Sequence, residues 1–484
     1  MRSSFKIKPL ISAVAVLSAC SLASAAGLER SGQDMTSFLQ DGTYAEASYA
    51  FINADVTGRD ASGNKVKDIA EPYDFFNFGV KTDINDTFSI GVIYDEPWGA
   101  AADYHGNNDF VGSPIKVVNG LIASRLGAQG ITDVAGFKGY VADTGQKIEA
   151  GRQQLAQAEA ALQANPGLAS ELTPQIEAGK AQLAAGEAQY QKLKGLEGVL
   201  DTTLSNTSPT KVEVRSDNIT GLLGMKFGEN NNFQVYGGPV LQRLKAKVAL
   251  RGDAYETATN YDLKINRDTD YGWIAGISYS KPEIALKAAL TYRSEIKHHV
   301  DTGENLPLAA LLGNDPHYTG KMQVKTPESV NFNFQTGINP TTLATAKVRW
   351  VPWGNFKITP PLYNTASKVN YGPKGLNLVD YDDDQWLVEL GLAKRVAPNL
   401  AISGTVGWDS GAGDPVTSLG PIEGYYSVGL GAKYNFDENW AISAGGKYLM
   451  FGDAKGKIPN GNIVSRFKNN DGYIVGVKLS YQDK

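Results

Sequence analysis

The sequence is poor in cysteine and in long apolar runs. Its single cysteine, Cys20, lies within the first 26 residues, so the rest of the chain cannot form an internal disulfide. Beyond residue 26, no apolar run approaches the roughly eighteen residues that a transmembrane helix needs. The net charge is only −5, which does not indicate a nucleic-acid partner.

Signatures of catalysis and of metal binding are also missing. Neither a Gly-x-Ser-x-Gly nucleophile elbow nor a phosphate-binding loop is present. The adjacent pair His298 and His299 would point to opposite faces of a strand, without the spacing of a metal site. The acidic residues 380–384 suit either a divalent cation or a solvated strand start, and we favour the strand start. We predict no catalytic residues, no metal and no cofactor.

Residues 1–26 have the layout of a secretory signal peptide. A basic start is followed by the apolar stretch Leu10–Leu17 and by small residues before Gly27. We predict cleavage after Ala26. Residues 17–20 also resemble a lipoprotein acceptor box, which would instead retain Cys20 as a lipidated N-terminus.

Many segments of the chain alternate strictly between apolar and polar residues, and residues 283–300 illustrate this pattern. Every second residue from Ile284 is small, apolar or aromatic, and those between are largely charged. A period of two indicates extended backbone whose faces meet different surroundings. The stretch is about three times as long as a usual globular strand. Length, repetition and an export signal together favour a transmembrane β-barrel over a half-buried soluble sheet.

The whole chain follows this pattern, and we count about fourteen strands, an even number as bacterial barrels require. Short turns alternate regularly with longer connections, which a soluble sandwich would have no reason to do. We predict an antiparallel barrel with both termini in the periplasm. Residues 27–42 form a short N-terminal periplasmic or plug segment, residues 43–96 the first three strands, and residues 211–484 the other eleven.

Residues 97–210 are an insertion with a different period. The pattern that begins at Ile148 recurs from Ile176, and large residues return every seventh position in each copy. Residues 165–167 break the first helix. We predict a helical hairpin on the extracellular side, mainly structural, with a partner-binding or gating role as the alternative.

Alternation also assigns faces to the charged residues. If Leu286, Leu290 and Ile296 face lipid, the cations between them face the lumen. The same logic turns Arg243, Lys245 and Arg251 inward. Such a lumen could hold a carboxylate through charge-assisted hydrogen bonds, or its cations could pair with acids across strands. The predicted carboxylate-binding residues are Lys247, Lys287, Arg293, Lys297 and Arg349.

A cluster of apolar residues follows the third predicted strand, in a loop expected to face water. Exposed there, it would form a ligand groove. Alternatively, it packs beneath the helical hairpin as a small core. The residues are Trp98, Phe110, Val117, Val118, Leu121 and Ile122.

Three short motifs resemble the FadL family of outer-membrane channels, which includes the toluene-uptake porins. Tyr292-Arg293-Ser294 followed by His298 is similar to the family's strand signature. The segment from Thr326 to Val330 resembles its Pro-x-Ser strand start, and Pro97-Trp98-Gly99 resembles a family motif after the third strand. Two features differ: residues 27–41 are much shorter than the family's plug, and a short tail follows Tyr481.

The resemblance implies a monomeric barrel in the outer membrane of a Gram-negative bacterium. It implies uptake, without catalysis, of long-chain fatty acids or related hydrophobic compounds. Ligand would be captured at external loops, passed to a lumenal pocket and released sideways. The expected partners are these ligands, outer-membrane lipid, lipopolysaccharide and the barrel assembly machinery. The alternatives are a receptor or adhesin using the 140–200 hairpin, a lipase-like enzyme, and a general porin.

Overall fold

The computed structural model describes residues 28–483. The predicted signal peptide and the alternative lipidation of Cys20 lie outside the described residues. Among the described residues, no helix is long and apolar enough to cross a membrane.

Seventeen strand segments join into one continuous antiparallel sheet. Three wall strands are each interrupted once, so the segments make up fourteen strands. The first seven are β1 (Thr43–Asp55), β2 (Tyr73–Asp83), β3 (Phe88–Asp95 and Gly99–Asp103), β4 (Lys211–Phe227), β5 (Phe233–Leu250), β6 (Tyr261–Lys281) and β7 (Leu286–Arg293 and Ile296–Asn305). The others are β8 (His317–Thr326 and Ser329–Asn339), β9 (Thr342–Val351), β10 (Gln385–Ala397), β11 (Leu400–Asp409), β12 (Glu423–Asn435), β13 (Trp440–Gly452) and β14 (Asp471–Asp483).

The first and last strands close the sheet into a barrel. β1 pairs with β14 along its whole length, from Thr43 opposite Asp483 to Asp55 opposite Asp471, and its other edge pairs with β2. This confirms the predicted fourteen-stranded barrel. We call the end that carries the chain termini and the short hairpins the turn end, and the opposite end the loop end.

The outer face of the wall is an apolar band between two aromatic belts, as expected where a barrel meets lipid. Within the band, Leu223 and Leu430 are 56% and 71% exposed. The belt at the turn end includes Phe88, Phe227, Phe233, Phe436 and Trp440, all exposed. The belt towards the loop end includes Tyr49, Tyr271, Trp273, Trp386, Trp408, Tyr426, Tyr448 and Tyr473, also exposed.

Four helices lie in the connections at the loop end. They are α1 (Ile115–Leu126), α2 (Val134–Ala164), α3 (Ala169–Ser205) and α4 (Pro361–Tyr371). α2 and α3 form the predicted hairpin, and glycines let them pack closely. A Cβ atom built on Gly186 would lie 2.7 Å from Ile148 Cδ1, and one on Gly145 would lie 2.9 Å from Tyr190 Oη.

Short strands cap the loop end. Five of them form one small sheet, and two form a separate pair. The five are Gly58–Asp60, Lys65–Val66, Val416–Thr417, Ala454–Lys457 and Ile463–Phe467, and the pair is Lys357–Ile358 with Val379–Asp380.

Residues 28–42 lie inside the barrel, and we call them the plug. Met35, Phe38 and Leu39 are at most 5% exposed and pack in one cluster with inward side chains of the wall, including Tyr236 and Ile274. These contacts place the plug towards the turn end of the lumen.

The predicted faces of β7 are wrong beyond Arg293. The strand breaks at Ser294 and Glu295, so Leu290 points outward at 48% exposure whereas Ile296 points inward at 2%. Ser294 fills the break by accepting a hydrogen bond from Trp273 N through its Oγ at 3.0 Å. Arg293 and Ser294 are both buried, so the alternation slips by one residue at the break, and the faces after it are reversed. Lys297 is therefore on the outer face.

The predicted faces of β5 are also wrong in its second half. Leu244, Ala246 and Val248 are buried inside, whereas Arg243, Lys245 and Lys247 lie on the outer face. At the loop end the interior of the barrel is apolar, and the outer surface lies beyond the lipid-facing band and contacts water. The apolar face of β5 therefore points inward there. Arg251, just past the strand, is buried but is held by Asp262 at 2.5 Å.

Candidate ligand chamber and wall gap

An apolar chamber lies between the plug and the cap at the loop end. Its free volume is about 90 Å³. Small and β-branched residues dominate the lining, so the walls offer almost no polar group to a ligand. They include Ala100, Ala101 and Ala102 of β3, Val212 and Val214 of β4, Ala246 and Val248 of β5, and Leu263 and Ile265 of β6.

Arg30 of the plug places a charged group beside these apolar walls. It lines the chamber beside Leu28 and Tyr381. Its Nη1 donates to the carbonyl of Glu29 at 2.6 Å. Among residues 28–483, its Nε has no hydrogen-bond partner and no carboxylate lies within 4.0 Å of its guanidinium nitrogens. Enclosure in protein lowers the pKa of Arg30, because burial penalises the charged form. The chamber therefore combines apolar walls with one cation that has no acidic partner.

A second arginine fixes the plug to the wall. Arg349 of β9 is 1% exposed and binds the carboxylate of Glu29 through Nε at 3.0 Å and Nη2 at 2.8 Å. The same side chain donates to Asn331 Oδ1 at 2.7 Å and to Gln33 Oε1 at 3.0 Å. Its charge and hydrogen bonds are thus satisfied by the plug and by β8 rather than left for a ligand.

Arg293 of β7 also points into the lumen, and fewer of its guanidinium nitrogens have partners than those of Arg349. It is buried, 3.9 Å from Asp95, and Asn218 accepts from its Nη1 at 2.7 Å when the amide oxygen is turned towards it. Its Nε and Nη2 have no hydrogen-bond partner among the described residues. Asp95 in turn accepts a hydrogen bond from Ser31 of the plug at 3.0 Å.

The wall has a gap where β3 is interrupted. The ladder between β2 and the first part of β3 stops at Phe78 opposite Tyr94. Beyond it, β3 pairs with the plug instead: Arg30 N donates to Pro97 O and Gly99 N donates to Leu28 O, both at 2.8 Å. The plug thus takes the place of a wall strand over these residues.

Tyr73 of β2 fills this gap. Its ring lies between two guanidinium groups, 5.3 Å from Arg30 on the chamber side and 4.7 Å from Arg215. A Cβ atom on Gly99 would lie 2.4 Å from Tyr73 Oη, so the glycine leaves room for the phenol. Tyr73 is only 3% exposed, and its hydroxyl has no hydrogen-bond partner among the described residues. The ring and the two guanidinium groups together close the gap in the wall here.

The sequence model of a family described as "Outer membrane protein transport protein (OMPP1/FadL/TodX)" matches residues 149–482. The chain belongs to this FadL/TodX family. It is an outer-membrane barrel of the type that transports hydrophobic compounds. Members and structural neighbours are transport channels rather than enzymes.

Solved structures of FadL/TodX proteins share the fold. A FadL homologue from Pseudomonas aeruginosa superposes with a TM-score of 0.61 at 12% identity, over 96% of this chain and 97% of that chain. The toluene transporter TodX from P. putida gives a TM-score of 0.53 at 10% identity, over 93% and 92%. The Ralstonia pickettii toluene transporter TbuX gives 0.51 at 8% identity, over 96% and 98%. No curated protein matches the sequence.

The predicted carboxylate-binding residues do not converge on one site. Arg293 and Arg349 lie in the lumen beside the plug, and Lys287 donates to the carbonyl of Leu39 near the turn end. Lys247 and Lys297 are exposed on the outer face. The last two placements correct the prediction, for the reasons given above for β5 and β7.

The predicted external groove is not formed by its six residues. Trp98 is 2% exposed and packs against Trp353, with ring centroids 5.3 Å apart. Phe110 is fully buried and stacks on Tyr104. The α1 residues Val117, Val118, Leu121 and Ile122 pack with the base of the hairpin, which was the alternative prediction. Amphipathic spacing along α1 turns its apolar face inward.

The sequence reasoning missed Arg30 and Tyr73, since neither belongs to a recognised motif. It also missed a carboxylate–histidine cluster: ligand atoms of Asp268, Asp270 and His298 lie within 4.8 Å of one another. The Asp-x-Asp spacing in β6 was the available signal. The hydrogen bond between His298 Nδ1 and Asp268 at 3.1 Å accounts for this arrangement without an ion.

Proposed function

We propose that the protein takes up long-chain fatty acids or similar amphiphilic acids by diffusion. Ligand enters from the loop end, which faces the exterior, and its tail occupies the apolar chamber. Its carboxylate binds Arg30. The observation that carries this proposal is a chamber with apolar walls and a single cation without an acidic partner.

Energetics favour an acid over a neutral ligand. A hydrogen bond to a charged group contributes about 1.5–3 kcal/mol, and a carboxylate would satisfy the free Nε of Arg30. The chamber's 90 Å³ is smaller than the roughly 150 Å³ that admits benzene in an engineered cavity. A bound tail therefore requires the lining to move, and the cap segment 417–422 is one part of the lining that belongs to no wall strand.

The proposed exit is sideways, past Tyr73. The gap in β3 opens beside the chamber, and the outer surface next to it carries Phe76, which belongs to the lipid-facing wall. A hydrocarbon tail leaving there would pass from apolar lining to lipid without crossing water. Leaving through the turn end would instead require the plug to give up its contacts with Arg349.

Uptake of labelled oleate and of toluene tests the acid preference. The assay uses a host without its own channel, complemented with the wild type, Arg30→Gln, Arg30→Lys or the exposed control Arg59→Gln. We expect Arg30→Gln to lower oleate uptake by at least about tenfold, which corresponds to the lower end of the energy of one charged hydrogen bond, and to leave toluene uptake unchanged. Equal loss of both compounds, or no loss of oleate, would refute the role of Arg30.

Monoaromatic hydrocarbons are the second candidate substrates. The small volume of the chamber favours them, and two structural neighbours are described as toluene transporters. In the same assay, a protein dedicated to such compounds would import toluene in the wild type and in all three variants, and oleate in none of them.

A further inference from the structure

The outer wall carries a concentrated positive charge just beyond the aromatic belt at the loop end. Along β5 the outward residues are apolar as far as Leu241, and the next ones are charged. On β6 the change follows Tyr271. We use the name basic wall patch for four exposed residues of these neighbouring strands: Lys245, Lys247, Lys264 and Arg267.

The positive charges of the basic wall patch are not neutralised by neighbouring acidic side chains. Within the described part of the chain, none of its four cations forms an ion pair within 4.0 Å. Cations next to it do: Arg243 binds Asp217 at 2.5 Å, and Lys297 binds Glu295 at 3.3 Å.

Strand register makes this arrangement unfavourable by itself. Lys247 on β5 lies directly opposite Lys264 on β6. Like charges at directly opposed positions are destabilising. Two acids on the neighbouring positions are engaged elsewhere, because Asp262 is held by Arg251 at 2.5 Å and Glu213 lies 3.8 Å from Arg215. An external anion between the two lysines would relieve the repulsion.

Space for such an anion exists beside the patch. A groove of about 770 Å³ runs across the outer surface of β4–β8 at this height, and Lys247 and Lys264 both line it. Lys211, His317 and the acids Glu213, Asp262 and Glu304 also line it, and Gly303 adds no side chain that would fill it. Lys211 is paired with Asp103 at 2.8 Å, and Glu304 accepts hydrogen bonds from Tyr261 Oη and from the backbone of α4 inside the barrel.

Some other strands carry acids at the same height. Beyond the belt on β1, β2 and β14, the outward positions carry Asp55, Asp74 and Asp471. The basic wall patch therefore occupies one arc of the wall, and a ligand that recognises it would contact that arc.

We propose that the basic wall patch binds the phosphate groups of a phosphorylated glycolipid in the outer leaflet. The patch begins where the lipid-facing band ends, which is the height of lipid head groups. Lysine and arginine at that height bind anionic head groups through charge attraction and charge-assisted hydrogen bonds. The acyl chains of the same lipid lie against the apolar residues of β5 and β6 below.

Native mass spectrometry of the full-length mature protein in an uncharged detergent tests this assignment. The probes are diphosphorylated lipid A and the same lipid with both phosphates removed. The patch variant carries Lys245→Gln, Lys247→Gln, Lys264→Gln and Arg267→Gln. Its matched control removes four hairpin cations by Lys147→Gln, Arg152→Gln, Lys180→Gln and Lys194→Gln, so both variants change net charge equally.

We expect the patch variant to bind diphosphorylated lipid A at least tenfold more weakly than the wild type, and the control to bind it as the wild type does. Dephosphorylated lipid should bind all three proteins equally weakly. Wild-type affinity in the patch variant would overturn the proposal, and so would equal binding of the two lipids to the wild type. Since the patch faces away from the chamber, oleate uptake should be the same in all three proteins.

Discussion

The buried arginines of the lumen have different roles: one binds the plug, and another is open to a ligand. Arg349 is fully occupied by Glu29 and its neighbours, whereas Arg30 faces the chamber without an acid. Sequence alternation could place Arg349 in the lumen but could not separate these two roles. The difference arises from residues 28–42, a segment without periodicity whose path through the barrel no local pattern predicts.

Breaking the Arg349–Glu29 pair should loosen the plug. Arg349→Met leaves the Glu29 carboxylate buried without its partner, which costs about 3–5 kcal/mol in comparable buried pairs. We expect faster hydrogen exchange in residues 28–36 and larger single-channel conductance in planar bilayers. The double variant Glu29→Gln with Arg349→Met should recover much of the protection. An unchanged exchange rate in the single variant would contradict the anchoring role.

Tyr73 should control the sideways route. Tyr73→Ala removes the ring between chamber and exterior, and we expect it to speed release of a fluorescent fatty acid from protein in lipid vesicles. Tyr73→Phe keeps the ring and serves as the control, because the hydroxyl has no hydrogen-bond partner to lose. Equal release from the Tyr73→Ala and Tyr73→Phe variants would argue for another exit.

Gly99→Val should hinder folding of the wall around this gap, since a Cβ atom at residue 99 would lie 2.4 Å from Tyr73 Oη.

At the scale of elements, the helical hairpin is separable from the barrel. α2 and α3 contact each other through Gly145–Tyr190 and Ile148–Gly186, whereas the base residues Phe137, Val141 and Leu200 pack with α1. The seven-residue seam predicted this hairpin from sequence because its spacing is local. The same spacing could not reveal that α1 closes the base.

Shortening the hairpin should leave transport intact. Residues 146–189 can be replaced by a short glycine–serine linker, because Gly145 and Tyr190 already touch. We expect helical circular dichroism to fall and oleate uptake to stay within about twofold of the wild type. A near-complete loss of uptake at normal surface expression would favour the receptor or gating alternatives.

For the whole molecule, strand number and closure were predictable, but the faces of β5 and β7 were not. Strand count follows from a period of two, which each segment carries by itself. Face assignment assumed that apolar residues meet lipid along the full strand. That assumption fails at Leu244 and Val248, which line an apolar interior above the membrane band, and at Ile296, which follows a break. Both failures depend on tertiary surroundings.

A cross-linked plug distinguishes sideways from axial exit. A Cβ atom on Gly79 would lie 3.2 Å from Ser37 Cβ, close to disulfide geometry, so Ser37→Cys with Gly79→Cys can tie the plug to β2. No other cysteine is expected in the mature chain. We expect oxidised protein to import oleate as well as reduced protein does. Import that stops on oxidation and returns on reduction would mean that the plug must leave.

The pairing of Leu28 and Arg30 with Pro97–Gly99 has a mechanical consequence. The plug that fills the lumen and the segment that covers the gap in β3 are therefore one continuous piece of chain, and Arg30 belongs to it. A carboxylate that binds Arg30 would displace the backbone of residues 28–30 and strain their hydrogen bonds to β3. Ligand binding would thus weaken the closure of the gap, while the ion pair between Glu29 and Arg349 keeps the plug attached to β9.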